Sequence, residues 1–246
     1  MSAAAQAARE VWGGRAFLWA WLARAFSYPR ADRLSELAQA APEAVAVAGT
    51  LGVEADADLP ERAAAAGARL GELQGLHNRL FVVGLEVPPR ETAYELDRTA
   101  RRSAELADVG AFYRAFGLRI GAPLEPDHLV VELEFLSVLA QKIAHFAEAG
   151  AEGEEGRAVC EEAYRAFLDD HVGRWIAAFC ARLEEMCEDP FLRAAGRLLL
   201  ALTEAEIARL GLDPQRLSWH GPDAAAASSW PCGAGPGAAA RPGSAT

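Results

Sequence analysis

Positive charge is scarce in this chain of 246 residues: 24 Lys+Arg stand against 35 Asp+Glu, a formal charge of -11. Nearly all of that positive charge is arginine. Nucleic-acid binding depends on net positive patches that neutralise phosphates, so the balance argues against that class of partner. Cysteine is scarce too, limited to Cys160, Cys180, Cys187 and Cys232. No pair has the C-x-x-C spacing of a zinc, iron–sulfur or thioredoxin-like site. Cys160 and Cys180 fall inside helical patterns and read as buried thiols in a reducing cytoplasm. No targeting segment is visible. The apolar run Ala16 to Phe26 is too short to span a membrane and is bracketed by Arg15 and Arg24. Arg101-Arg102 is followed by Ser-Ala-Glu-Leu instead of an apolar stretch, and reads as a solvated helix face. Strand-type alternation, internal repeats and long heptad runs are all missing. What remains is an all-α globule.

Apolar residues at helical spacing are abundant. Hydrophobic content is 52%, enough for one large domain or two small ones. The stretch from Val109 to Phe146 organises the rest. Gly117, Gly121 and Pro123 stop one helix and mark a possible sub-boundary near 117–124. Pro126 suits the first position of the next helix, with Glu125 and Asp127 at the positive end of its dipole. Leu129, Leu133, Leu136, Ala140 and Ile143 then draw one buried stripe.

The remaining helices follow from the same reading. They are expected at 6–27, 34–40, 43–51 (split from its neighbour by Pro42), 60–81, 95–116, 125–149 and 157–187, the last with a break near Asp169-Asp170-His171. Asp189-Pro190 caps a helix from Phe191 to Leu202, and Thr203-Glu204-Ala205-Glu206 is a capping-box pattern for one last short helix. The total is about eight to ten helices in a domain over 1–212. Residues 213–246 are Ala-, Gly-, Pro- and Ser-rich and are expected to be a disordered tail. The Pro88-Pro89 loop, between Leu85 and Tyr94, is either a functional loop or a plain connector.

Catalytic patterns are missing as well. His128 and Glu132 are four apart on one helix face, but there is no H-E-x-x-H and no third ligand at a defined offset, so no metal or cofactor is expected. Glu132 and Glu134 lie about 200° apart round a helix and cannot converge as an acid/base pair. No G-x-S-x-G, P-loop or G-x-G-x-x-G occurs. The sequence is not read as an enzyme.

One ordered set of short motifs is more specific. Phe112-Tyr113-Arg114-Ala115-Phe116-Gly117-Leu118 is followed by Glu125-Pro126-Asp127-His128-Leu129 and by Glu132-Leu133-Glu134-Phe135-Leu136. Leu80-Phe81 with Gly84, then Pro89, Glu91 and Tyr94, precede them. Asp170-His171, Trp175, Phe179 and Asp189-Pro190-Phe191 come after. Together, from about Trp12 to Leu202, they resemble the TorD/DmsD/NarJ family of molybdenum-oxidoreductase maturation chaperones.

The resemblance implies a cytoplasmic, client-specific chaperone, monomeric or homodimeric. Such a chaperone binds the twin-arginine leader or N-terminal segment of a molybdopterin oxidoreductase catalytic subunit and permits cofactor insertion before export. It places leader binding at Pro126, Asp127 and His128. A carboxylate at Asp127 suits arginine pairing, although helix capping worth about 1 kcal/mol is the plainer role for an aspartate there. Glu132 lies one turn below His128, and Phe81, Gly84, Glu91 and Tyr94 would edge a groove for the leader's apolar run. The sequence looks nearest to chaperones of periplasmic ethylbenzene, dimethyl sulfide, selenate or chlorate oxidoreductases. The alternative is a helical adaptor with no redox client. A nucleotide-binding bundle is less favoured, since no phosphate-cradling motif is present.

Overall fold

The computed structural model describes residues 3–95, 98–121 and 124–221. The regular secondary structure of the described residues is helical, with no β-strand among them. In chain order the helices are α1 (Ala3–Phe26), α2 (Ala31–Thr50), α3 (Leu59–Ala68), α4 (Leu70–His77), α5 (Arg98–Ala115), α6 (Leu129–Glu148), α7 (Glu154–Phe167), α8 (Gly173–Met186) and α9 (Pro190–Leu210).

The centre is α1 laid along α6. The expected stripe Leu129, Leu133, Leu136, Ala140 and Ile143 is fully buried, and Leu18, Trp19 and Leu22 of α1 are fully buried too. Each such side chain contributes roughly 1.5–3 kcal/mol when removed from water. Ser137 of α6 donates its hydroxyl to the Ala16 carbonyl at 2.8 Å, which is possible only where two helices approach closely. At one end of this pair, Arg15 and Arg209 lie over the Trp12 ring at 5.0 and 5.2 Å. Both guanidiniums bond to the buried Glu206 carboxylate.

Four local expectations differ from the structure, each for a physical reason. Pro42 does not split a helix. The buried row Leu34, Leu37, Ala41, Ala44 and Ala48 runs straight past it, and that burial outweighs the roughly 3 kcal/mol that an interior proline costs. The single helix expected over 60–81 is broken at Arg69, whose guanidinium turns to Asp189 at 2.6 Å, and ends in a π-helical turn over Asn78–Val82. Thr203 caps nothing: its hydroxyl returns to the Leu199 carbonyl inside one continuous α9, which ends at Gly211 in the left-handed conformation (φ 62). Helix α6 starts at Leu129, after the Glu125–His128 turn, not within it.

Other expectations hold. A π-helical turn over Leu168–Val172 interrupts the α7–α8 run where the break was expected. Asp189 caps α9, with its Oδ1 accepting from the Phe191 and Leu192 N–H groups at 3.0 Å each.

Beyond α9, residues 213–221 run back across α8. The Leu217 N–H donates to the Arg174 carbonyl at 2.8 Å, and Arg216 donates to the Gly173 carbonyl at 2.9 Å. The expected disorder of the later tail, Cys232 included, and the side chains of Arg101-Arg102 lie outside the described residues.

Candidate functional site

The π-helical turn Asn78–Val82 delivers the chain to Gly84. A Cβ on Gly84 would sit 2.2 Å from the Arg79 carbonyl oxygen, so only glycine fits this turn. The turn is closed by the Val87 N–H donating to the Leu80 carbonyl at 2.9 Å and by an Arg79–Glu86 ion pair at 2.6 Å. Phe81 points inward, against Phe26, His77 and Phe179. Val82, Val83 and Leu85 point outward, and Val83 is 83% exposed. Leu85 carries a left-handed φ of 46, unusual for a non-glycine residue.

The double-proline loop then meets the turn before α6. Leu129 N–H donates to the Pro89 carbonyl at 2.9 Å, Glu91 N–H donates to the Asp127 carbonyl at 3.1 Å, and Arg90 forms an antiparallel bridge with His128. Two stretches the sequence flagged separately are thus one structural unit. Tyr94 is buried beneath it and donates its hydroxyl to the Pro88 carbonyl. The Pro126 carbonyl accepts from the Tyr113 hydroxyl at 2.8 Å.

Burial overturns the expectation that Asp127 is accessible. It is 0% exposed, and its Oδ2 accepts from the Thr92 hydroxyl and N–H, while Oδ1 has no hydrogen-bond partner among the described residues. His128 is the N-cap of α6, its Nδ1 accepting from the Val130 N–H at 3.2 Å. Burial, aided by the charge of Arg90, pushes the His128 imidazole down to about 4, which keeps it neutral and able to accept.

Glu132 faces inward under the turn. The Trp175 indole donates to its Oε2 at 3.0 Å, and its Oε1 has no hydrogen-bond partner among the described residues. Full burial holds its carboxyl well above the usual range, with the charges of Glu91 and Asp127 adding to the effect. Glu91 bonds to His171 at 3.0 Å and to Arg174 at 2.9 Å, and burial raises its carboxyl too.

Glu91, Glu105 and His171 offer ligand atoms within 4.8 Å of one another, a set the sequence did not suggest. Arg174 already supplies positive charge here, 2.9 Å from Glu91, 3.7 Å from Glu105 and 2.6 Å from Glu95. The arrangement is that of a guanidinium clamp.

Above this layer lies an open groove of about 1380 Å³, larger than the roughly 300–1,000 Å³ of a typical small-molecule pocket. Phe81, Gly84 and His128 of the expected site residues line it; Asp127, Glu132, Glu91 and Tyr94 do not, and instead support the wall from below. Tyr28, Val82, Leu85 and Leu124 are exposed large apolar residues on its lining. Sequence reasoning missed Tyr28, Arg33, Glu134 and Trp219, which also line it. The signal for Glu134 was present: the half-turn that separates it from buried Glu132 puts it on the outer face. Glu134 has no hydrogen bond or ion pair with any described residue. Partial burial raises its carboxyl, opposed by the more distant charges of Arg24 and Arg33.

The fold and groove define an all-α protein with a large, mostly apolar cleft open to solvent. A family model described as nitrate reductase delta subunit matches residues 25–181, well over half of the chain. The chain belongs to this NarJ/TorD-type family of molybdoenzyme maturation chaperones. It is also similar to a protein of Thauera selenatis named selenate reductase assembly chaperone protein, 35% identical over 112 residues. That match covers 45% of this chain and 55% of the relative, so the chain spans about half the length of the curated relative it matches. No helix of the described residues is long and apolar enough to cross a membrane.

Proposed function

We propose that this protein is a non-catalytic, cytoplasmic chaperone for assembly of a molybdopterin oxidoreductase. It holds the twin-arginine leader or N-terminal segment of the catalytic subunit in the groove while cofactor is inserted. The observation that carries the reading is the pairing, in one cleft, of four solvent-facing apolar side chains with the Glu134 carboxylate, which makes no hydrogen bond or ion pair among the described residues. An apolar segment laid against Tyr28, Val82, Leu85 and Leu124 removes their surface from water. Glu134 accepts a leader arginine, which shares its charge through two N–H donors. The turn Pro126–Asp127–His128, with Glu91, Tyr94 and Glu132 beneath it, fixes the wall that Arg90 and His128 present. Asp127 acts by positioning Thr92 and does not reach the client.

The test is a calorimetric titration of the full chain with a synthetic peptide carrying two adjacent arginines followed by a leucine–alanine run. The wild-type chain binds it, and Glu134→Gln weakens binding about three- to tenfold with unchanged melting. Wild-type binding that is indifferent to replacement of both arginines by glutamine favours the adaptor reading. Absence of binding by the wild-type chain sinks the groove reading.

A further inference from the structure

The groove has a wall that the family match does not cover. The matched region ends at 181, yet Trp219, on the 213–221 strap, lines the cleft. The strap is fixed from α8 and α9. Leu217 N–H donates to the Arg174 carbonyl, and Arg216 bonds both to the Gly173 carbonyl and to Glu204 at 2.9 Å. Pro214 is buried and packs so closely on α8 that a Cβ added at Gly173 would lie 3.1 Å from its ring. These bonds set the strap before any client arrives, so Trp219 is held in place ahead of binding.

The indole leans on the Tyr94 ring at 5.6 Å, with the Arg182 guanidinium 5.8 Å from its centre. It remains half-buried, leaving part of its surface for a ligand. A rigid aromatic side chain already backed by another ring gives large contact area at small entropic cost, which is the profile of a binding hot spot. Arg182 also lines the groove. Its guanidinium is paired with Glu185 at 2.8 Å and donates to the Glu86 carbonyl at 2.9 Å, so it backs the indole and leaves ring surface, suited to apolar atoms, as what this wall presents. Glu134 and Trp219 therefore read different parts of the same ligand.

We propose that the 213–221 strap is a specificity-determining wall of the groove, with Trp219 packing against the apolar run of the client segment. The inference rests on the groove reading and adds to it the part of the ligand that this wall recognises.

The experiment uses the full chain, as wild type, Trp219→Ala and Trp219→Phe, with two synthetic peptides. One carries adjacent arginines and a leucine–alanine run; in the other that run is replaced by serine and glycine. Trp219→Ala weakens the apolar peptide about tenfold, Trp219→Phe recovers most of the loss, and neither changes binding of the polar peptide by more than about twofold. In 5-fluorotryptophan-labelled protein, the fluorine signal missing from Trp219→Phe identifies Trp219, and it shifts on addition of the apolar peptide. That second readout holds even if Trp219→Ala destabilises the fold. An unshifted signal at saturation, or equal loss for both peptides, overturns the inference while leaving the groove reading intact. Failure of the wild-type chain to bind either peptide removes both.

Discussion

Thr92 donates its hydroxyl to Asp127 Oδ2 across 2.6 Å, linking the loop after the double proline to the turn before α6. Neither side chain is open to solvent. Asp127→Asn keeps an acceptor for Thr92, while Asp127→Ala leaves a buried hydroxyl and N–H without one. Asp127→Ala is expected to cost about 1–3 kcal/mol and Asp127→Asn less than about 1 kcal/mol, measured by urea denaturation. A large drop in peptide affinity for a stable Asp127→Asn would instead place this carboxylate in direct contact with the client.

His128 makes the cap of α6 sensitive to acid. Its folded value, about 4, lies below the ordinary 6.5. As pH falls between those values the unfolded chain takes up the proton first, so stability is lost as pH falls through the window. A protonated Nδ1 also cannot accept from the Val130 N–H. Asparagine is a good cap that does not titrate. His128→Asn should therefore lose less stability than wild type from 6.5 down to about 4, by on the order of 1–2 kcal/mol. His77, lowered by burial in the same direction, also lowers His128, so the comparison is made in a His77→Gln background to isolate His128. Parallel stability curves for the two proteins would exclude His128 as the sensitive group.

Glu132 behaves in the opposite sense. Its folded carboxyl is raised well above 4.5. As pH climbs past 4.5 the unfolded chain releases its proton while the folded protein keeps it, so this residue lowers stability as pH rises. Glu132→Gln removes that dependence and retains an acceptor for the Trp175 indole. The variant should gain on wild type with increasing pH, followed as the urea midpoint at each pH. A wild-type protein that instead gains on Glu132→Gln would mean that the carboxylate is ionised and paired.

Leu85 combines a left-handed backbone with an exposed apolar side chain. Asparagine tolerates that conformation better than leucine. Leu85→Asn should leave stability unchanged or raise it by up to about 1 kcal/mol, while weakening the apolar peptide several-fold. The two readouts move in opposite directions if the leucine is kept for binding; a loss of stability without a loss of affinity would make it a packing residue.

The helices were legible because their apolar positions recur at the helical period, and the α6 stripe is buried as its spacing predicts. Pro42 and Thr203 misled because each is a strong local signal that the neighbouring buried row overrides. The site was legible as segments but not as depths. An aspartate next to a proline at a helix start looks solvent-facing until Thr92, 35 residues away, arrives to bond it. Trp219 was lost for a different reason: the alanine- and glycine-rich composition after Asp213 hid one aromatic residue with a defined seat.

The Arg15–Glu206 contact has a bearing on how the protein is made. The two residues are 191 positions apart and both are buried. Arg15 is therefore translated well before its counter-ion, which arrives only with α9. An unpaired guanidinium is costly to bury, so the Arg15 end of α1 is expected to stay open to solvent until α9 supplies Glu206. A chain truncated before α9 is expected to remain open at this end, read as faster proteolysis near Arg15 than in the full chain.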